Sequence, residues 1–261
     1  MMDNPAAALP TPLGQVYHCE VKAYDIDARK EMTIPALVRH LQEAAMDNVV
    51  RLRLSVWDLE PEQLSWVLLR KEIQLSHRPT LGEQLTILTY PAGFDRLFTF
   101  RDFRIYDASG QLVATAATTW MLMHLQTRRP VRYPEWITNK LAPQMPPAEA
   151  CLPRPASELP PIEHPTDIFR IRVGWHDLDF NDHLNNTYYL RWMLDGLPHE
   201  VFRMRRLQQL CIHYLQEGSL DDELAIAVEE KAPGHYLHQL SQVATGKALA
   251  RMETVWGADG E

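Results

Sequence analysis

Two stretches of the chain repeat apolar residues every three or four positions, which is the spacing of one face of a helix. The apolar stripe of the first stretch is formed by Leu37, Leu41, Ala44, Ala45 and Val49. Thr33 and Pro35 stand at its start, where threonine caps a helix and proline fits the first turn. The second stretch runs from Asn186 to Leu197. We therefore expect one helix in each half of the chain.

Each helix is followed by segments rich in β-branched and aromatic residues, a composition typical of strands. These segments are 66–69, 84–90, 97–106 and 112–124 in the first half, and 210–215, 223–228, 236–243 and 248–256 in the second. Asp107–Gly110 predicts a hairpin turn between two of them. One more strand is expected over 20–26, before the first helix. The pattern predicts an α+β fold in which a helix and an antiparallel sheet occur twice.

The segment 142–165 is rich in proline, which fits neither the interior of a helix nor a central strand. We expect an extended linker over this range. It divides the chain into an N-terminal domain, residues 1–141, and a C-terminal domain, residues 166–261.

A carboxylate, a carboxamide and an imidazole occur at alternate positions just before the second helix, at Asp179, Asn181 and His183. In an extended segment, residues two apart project to the same side, so we expect these three side chains to face one pocket. Asn185 or Asn186 is well placed to cap the helix. Polar groups before a helix N-terminus favour a substrate that carries or develops negative charge.

Two other interpretations fit these residues. Asp177, Asp179 and Asn181 are spaced like the opening of a calcium loop. That loop needs glycine at its sixth position and glutamate at its twelfth, where this chain has Asp182 and Tyr188, so we expect no metal site. The other interpretation is a polar turn that only caps the helix, and the local residues alone leave it open.

An internal repeat distinguishes between the two remaining interpretations, a capping turn and a catalytic site. At an offset of 152 positions, the Asp-x-Asp sequence ending at Asp179 aligns with the one ending at Asp27. The same offset places Arg29 and Glu31 opposite the amide and the imidazole of the second half. If one repeat is catalytic and the other has lost activity, the amide and the imidazole should be present in only one of them. A turn that only caps the helix gives no reason for this difference.

Composition narrows the class of protein further. The chain has 261 residues, is 46% hydrophobic and carries a net charge of −8, which disfavours nucleic-acid binding through bulk positive charge. Its three cysteines are too few for a disulfide framework, so a reducing, cytoplasmic compartment fits best. The sequence has no signal-peptide pattern and no apolar run of about 18 residues. We expect a soluble protein without a membrane span.

The run from Leu178 to Asn186, followed by Tyr189 and Trp192, closely resembles the signature of the fatty acyl-ACP thioesterases, where ACP is acyl carrier protein. The resemblance covers nearly the whole chain, which looks like a bacterial relative of the plant members. It implies a tandem double hot-dog fold, in which each half is a long helix wrapped by a curved antiparallel sheet. The first half would bind the acyl chain, and the second would carry the catalytic groups.

The resemblance also implies a catalytic set. The family's Asp, Asn and His fall on Asp179, Asn181 and His183. Its acid, on the strand after the helix, falls on Glu217, and Arg78 stands at the repeat-aligned position of the first half. Plant members often have cysteine directly after this acid. This chain has Gly218, so we do not expect a covalent cysteine mechanism.

The activity implied is hydrolysis of the fatty acyl-ACP thioester by an activated water, with ACP as partner and without a cofactor. The alternatives are an acyl-CoA thioesterase and a non-catalytic hot-dog protein that binds acyl thioesters. Expected substrate contacts are the backbone near Asn185 for the oxyanion, Met121 and Met123 in an acyl tunnel, and Arg128 and Arg129 against the acidic carrier. A plain core role for the methionines, a solvated role for the arginines, and a monomeric or homodimeric state all stay open.

Overall fold

The computed structural model of the protein describes residues 9–165 and 167–258. Its internal contacts divide the chain into two units, Met1–Leu69 with Leu75–Pro155 and Arg70–Gln74 with Ala156–Glu261. The proline-rich segment is therefore shared between the units. Within it, single 3-10 turns at Ala142–Gln144 and Ala148–Ala150 interrupt the extended chain that its composition predicts.

The first unit combines one long helix with an antiparallel sheet, as predicted. Its helices are α1 (Ile34–Arg51), α2 (Val56–Leu59) and α3 (Glu135–Leu141). Its strands are β1 (Gln15–Glu20), β2 (Leu64–Leu75, of which residues 70–74 are counted in the second unit), β3 (Gln84–Asp95), β4 (Phe98–Tyr106), β5 (Leu112–His124) and β6 (Pro130–Val131). β1, β3, β4 and β5 pair in that order, β6 pairs with β5, and α1 packs on β1 and β3.

Helix α1 begins where its sequence predicts. The Thr33 side chain accepts the backbone N–H of Ala36 at 3.2 Å, which satisfies one of the free donors of the first turn. The apolar stripe is buried at Leu37, Leu41 and Ala44. The polar residue Asn48 lies on the same buried face and is fully buried. Its side chain tolerates burial because it donates to the Leu13 carbonyl at 2.8 Å and accepts from Arg101 at 2.8 Å. The predicted stripe positions Ala45 and Val49 are only half-buried.

The second unit repeats the plan. Its helices are α4 (Asn186–Asp195) and α5 (His199–Met204). Its strands are β7 (Asp167–Arg172), β8 (Arg205–Tyr214), β9 (Glu223–Ala232), β10 (His235–Gln242) and β11 (Ala248–Ala258). They pair antiparallel in the order β8, β11, β10, β9, β7, and β8 also pairs with residues 70–74. α4 packs against β9, β10 and β11.

A buried histidine joins α4 to this sheet. One ring nitrogen of His238 lies 2.9 Å from the carbonyl oxygen of Met193, and the other lies 2.9 Å from the Thr254 hydroxyl. Burial lowers the pKa of His238 to about 4, so the ring is neutral at neutral pH. Helix α4, which begins beside the candidate site, is thereby fixed at its far end.

The prediction of a strand over 20–26 is wrong. The chain leaves β1 at Glu20 and forms a 3-10 turn at Ala23–Asp25, where the Asp25 carboxylate accepts the Lys22 N–H at 3.0 Å. Strand β7 and helix α5 were not predicted, and α4 ends two residues before the predicted Leu197. None of the helices in residues 9–165 and 167–258 is both long and apolar enough to cross a membrane.

Candidate active site

The three polar residues before α4 lie on a tight turn, so the expectation of an extended segment is wrong. Leu178 and Leu184 form an isolated antiparallel bridge that closes the turn. Inside it, the Asp179 N–H donates to the His183 carbonyl at 2.8 Å, and the Asp182 N–H donates to the Asp179 carbonyl at 3.1 Å. Asp182 has φ 62°, a left-handed conformation that aspartate tolerates better than most residues. The turn, and not strand alternation, gathers these residues.

The carboxylate of Asp179 organises the backbone of the turn. Its Oδ1 accepts the backbone N–H of Asn181 at 2.8 Å and that of His183 at 3.4 Å. Aspartate at the first position of a turn commonly binds backbone N–H groups two or more residues later. Asp179 therefore holds in place the two residues that follow it, and Asn181 remains exposed at the tip of the turn.

An imidazole and a carboxylate meet beside this turn. His183 Nε2 lies 3.4 Å from Glu217 Oε2, and each side chain is 33% exposed, so water can reach both. Glu217 follows strand β8 and was assigned from the family resemblance. A histidine and a carboxylate this close can bind one water between them and act on it as general base and general acid.

Asn185 caps helix α4. Its side-chain Oδ1 accepts the backbone N–H of Thr187 at 2.9 Å and also the Thr187 hydroxyl. Its own N–H donates to the Asp177 carbonyl at 2.9 Å and is therefore already in use. An oxyanion contact at this helix end has to come from a neighbouring N–H group or from the exposed Asn181 amide.

The remaining predicted residues lie in the first unit. Met121 is half-buried on β5, and Met123, two residues further on the same face, is 7% exposed. Arg128 and Arg129 are exposed on the turn that follows β5, and Arg128 adopts φ 55°. In the part of the chain that the structure describes, no three His, Cys, Asp or Glu side chains are grouped as metal ligands.

Cys211 lies in the sheet, and its thiol is a poor nucleophile. It is 3% exposed, and burial raises the pKa of its thiol to about 12, so the thiolate is scarce at neutral pH. A Cβ at Gly218 would lie 3.1 Å from the Leu184 side chain and 3.3 Å from that of Leu249, so a larger residue there requires these leucine side chains to shift by a few tenths of an ångström.

The structure brings one further residue, Tyr189, to the segment that carries Glu217. The hydroxyl of Tyr189 accepts the Gly218 N–H at 2.6 Å and donates to the Gln216 carbonyl at 3.1 Å. The available signal was the repeat, which places Leu37 at the matching position. A tyrosine that replaces an aliphatic core residue brings a hydroxyl that needs partners when it is buried.

Comparison with known proteins covers both units. Residues 15–141 match the acyl-ACP thioesterase N-terminal domain, and residues 163–258 match the acyl-ACP thioesterase C-terminal domain. The chain is 26% identical over 251 residues to a chloroplastic palmitoyl-acyl carrier protein thioesterase of Cuphea hookeriana, covering 90% of this chain and 60% of that protein. It is 24% identical over 274 residues to oleoyl-acyl carrier protein thioesterase 2 of Arabidopsis thaliana, covering 90% and 74%.

Solved structures agree with the fold. The 12:0-ACP thioesterase from Umbellularia californica superposes with a TM-score of 0.87 at 19% identity, covering 95% of this chain and 98% of that one. An acyl-ACP thioesterase from Bacteroides thetaiotaomicron gives 0.82 at 22% identity, covering 94% and 98%. The predicted tandem double hot-dog fold is confirmed. The chain spans 60% of the Cuphea relative's length. From the two matching domains, the chain belongs to the acyl-ACP thioesterase family.

Proposed function

We propose that the protein hydrolyses the thioester of fatty acyl-ACP to a free fatty acid and ACP. The observation that carries the proposal is the His183–Glu217 pair, 3.4 Å apart and open to water, in the unit that matches the C-terminal domain of the family. The relatives named as palmitoyl- and oleoyl-acyl carrier protein thioesterases support the choice of substrate.

In the proposed reaction, a water oxygen attacks the thioester carbonyl carbon while its proton passes to the His183–Glu217 pair. The carbonyl oxygen becomes an oxyanion in a tetrahedral intermediate. The carbon–sulfur bond then breaks, and the pair returns the proton to the departing sulfur. The products are the carboxylic acid and the carrier thiol, and neither a cofactor nor a metal takes part.

Asn181 and Asp179 support this step in different ways. The Asn181 amide is exposed at the tip of the turn, where it can donate to the oxyanion or orient the water. Asp179 places that amide and the imidazole by accepting the N–H groups of Asn181 and His183. Preorganised donors of this kind contribute because they need no rearrangement when charge develops.

The two halves divide the work in this proposal. Residues 1–141 form an N-terminal domain that holds the acyl chain, 142–165 link the domains, and 166–261 form the catalytic domain. Met121 and Met123 are proposed to line the acyl tunnel, because flexible thioethers adapt to a flexible ligand. A bulky Met123→Trp change should shift the preferred chain length towards shorter acyl groups. A uniform loss of rate across a ladder of acyl-ACPs would contradict the tunnel assignment.

The carrier is proposed to meet the exposed Arg128 and Arg129. ACP is strongly acidic, and local cations can steer such a partner even to a chain whose net charge is −8. Changing both arginines to glutamate should raise KM for acyl-ACP and leave hydrolysis of acyl-CoA unchanged. The three cysteines, all free thiols, suit the reducing cytoplasm that we propose as the setting.

The test of the whole proposal is release of free thiol from acyl-ACP and from acyl-CoA of the same chain length, with Glu217→Gln as the control. Release from acyl-ACP at a rate that Glu217→Gln lowers about 10²- to 10⁴-fold supports the proposal. Hydrolysis of acyl-CoA alone would assign the protein to the acyl-CoA thioesterases instead. Binding of acyl-ACP without any thiol release would make it a non-catalytic acyl-thioester-binding protein.

A further inference from the structure

A single hydroxyl group binds the Glu217 segment on both sides of the catalytic acid. The Tyr189 hydroxyl accepts the N–H of Gly218 at 2.6 Å and donates to the carbonyl of Gln216 at 3.1 Å. Tyr189 lies in the first turn of α4 and is 3% exposed, so no bulk water competes for these bonds. The two bonds restrain the peptide groups on either side of Glu217.

A third hydrogen bond ties the Glu217 segment to the turn at 179–183. The backbone N–H of Leu184, the residue after His183, donates to the Gly218 carbonyl at 2.9 Å. These three hydrogen bonds therefore all come from the stretch that carries the imidazole.

The first half of the chain keeps the backbone bond, because the Met32 N–H donates to the Pro79 carbonyl at 2.7 Å, but it lacks both partners of the tyrosine contact. Leu37 stands where the second half has Tyr189, and leucine has no hydroxyl. Pro79 stands where the second half has Gly218, and proline has no N–H to donate. The acid between them is also replaced, by Arg78. Both partners of the hydrogen bond are thus present in the copy that has the acid and absent from the other.

We propose that Tyr189 is a positioning residue that sets the Glu217 carboxylate against the His183 imidazole. This inference rests on the proposed function, since it assigns the effect of Tyr189 to Glu217. Burial holds the pKa of the Tyr189 hydroxyl well above its ordinary value of 10.0, so the hydroxyl stays protonated and donates throughout the working pH range. Without it, residues 216–218 gain freedom and the 3.4 Å contact is less often formed.

The test begins with Tyr189→Phe, which removes the hydroxyl and keeps the ring. We expect the single-turnover rate constant for acyl-ACP hydrolysis to fall about 10- to 100-fold, because a catalytic group misplaced by about 1 Å lowers the rate on that order. The steady-state KM should change little. The matched control is Tyr214→Phe. That ring lies 5.6 Å from Tyr189, and its hydroxyl donates to the Asn186 carbonyl and not to residues 216–218. An equal loss in both variants would overturn the inference.

A double-mutant cycle shows whether the effect passes through the acid. In a Glu217→Gln background, Tyr189→Phe should cause no further loss, because the carboxylate that it positions is already gone. A full additional loss in that background would overturn the inference. Melting temperatures of all four proteins exclude unfolding as the cause.

The two levels of the proposal fail in distinguishable ways. If Glu217→Gln keeps the wild-type rate, the proposed catalytic site is wrong and the role of Tyr189 falls with it. If Glu217→Gln is inactive and Tyr189→Phe is fully active, the proposed site stands and only the positioning role is overturned.

Discussion

The turn at 27–31 and the turn at 179–183 share one backbone and differ in what it carries. Each closes with a hydrogen bond from the N–H of its first residue to the carbonyl of its fifth, 2.9 Å in the first turn and 2.8 Å in the second. Each has its fourth residue at positive φ, 64° at Lys30 and 62° at Asp182. In each, the first aspartate accepts two backbone N–H groups through Oδ1. The backbone of the turn therefore forms with or without the side chains proposed to be catalytic.

The side chains around the two turns use the space in opposite ways. In the first turn, the Arg78 guanidinium lies 2.9 Å from an Asp27 oxygen and 3.4 Å from a Glu31 oxygen, and its side chain is only 8% exposed. In the second turn, Glu217 and His183 occupy the matching positions and are one-third exposed. A half-buried ion-pair network thus replaces an open acid–imidazole pair, and the comparison teaches that the scaffold and the chemistry are separable.

The largest effect is expected where the second turn loses its reactive pair. General acid–base groups contribute about 10²- to 10⁴-fold, so His183→Ala and Glu217→Ala should each slow single-turnover hydrolysis of acyl-ACP on that order. The double variant should lose little more, because the two groups act on one water. Glu31→Gln, at the position of the first turn that matches His183, should keep the chemical step.

The measurement needs melting temperatures for each variant, so that a loss of rate is not a loss of folded protein. Losses that simply multiply in the double variant would show that the two side chains act independently. A near wild-type rate for Glu217→Ala would remove that residue from the site.

A change in the first turn should lower the stability of the protein and leave the rate of hydrolysis unchanged. Arg78→Ala leaves the Asp27 carboxylate without its arginine partner and should destabilise the protein. The expected loss is about 2 kcal/mol, less than the ~3–5 kcal/mol of a fully buried pair, because Asp27 is 27% exposed. Arg172→Ala, which removes an exposed ion pair with Asp221, is the matched control and should change the melting temperature little. Equal melting temperatures for the two variants would contradict a structural role for Arg78.

The sequence predicts the scaffold better than the site, for physical reasons. Helix α1 and strand β5 carry periodic apolar residues, and periodicity reports burial directly. Strand β1 has no fully buried residue, so its sequence lacks the alternation that identifies a half-buried strand. The turn at 179–183 was expected to be extended from the two-residue spacing of its polar side chains, because the positive φ at Asp182 depends on hydrogen bonds that spacing does not show.

The proposed catalytic residues were assigned partly from the repeat and partly from the family resemblance. Comparing the halves at one offset separates His183 from Glu31 without any structure. The contact between Tyr189 and residues 216–218 is different, because it joins positions 27 and 29 residues apart. Only the path of the chain after β8 shows that this hydroxyl meets the Glu217 segment.

A smaller effect on stability is expected at a buried position that is a lysine in the first half and a leucine in the second. Lys71 aligns with the buried Leu210, and its Nζ is buried without a hydrogen-bond partner among the described residues. Its pairing partner across the strands is the buried Ile212. Burial lowers the pKa of Lys71 from 10.5 to about 7. Lys71→Met should therefore raise the melting temperature by a few degrees, on the order expected for about 1 kcal/mol.

The sign of the pH dependence follows from that shift. Between pH 7 and 10.5 the unfolded chain binds a proton at Lys71 that the folded protein does not, so wild-type stability rises with pH across this window. Below pH 7 both states are protonated, and the penalty of the buried charge is complete. The advantage of Lys71→Met should thus be largest below pH 7 and shrink as pH approaches 10.5. An unchanged difference across the window, with the exposed Lys22→Met as control, would contradict this account.

The smallest effect on activity is expected from removing a cysteine, because no cysteine follows Glu217 in the second half or Arg78 in the first half. Gly218 follows Glu217, and Pro79 follows Arg78. Cys211 is 3% exposed with its thiol pKa raised by burial to about 12, so water and not sulfur should attack the thioester. Cys211→Ala should keep kcat for acyl-ACP and lower stability by about 1 kcal/mol for the lost core contact. Mass spectrometry of the wild-type protein quenched during the acyl-ACP assay checks the same point, because an acyl group trapped on Cys211 would show a covalent mechanism.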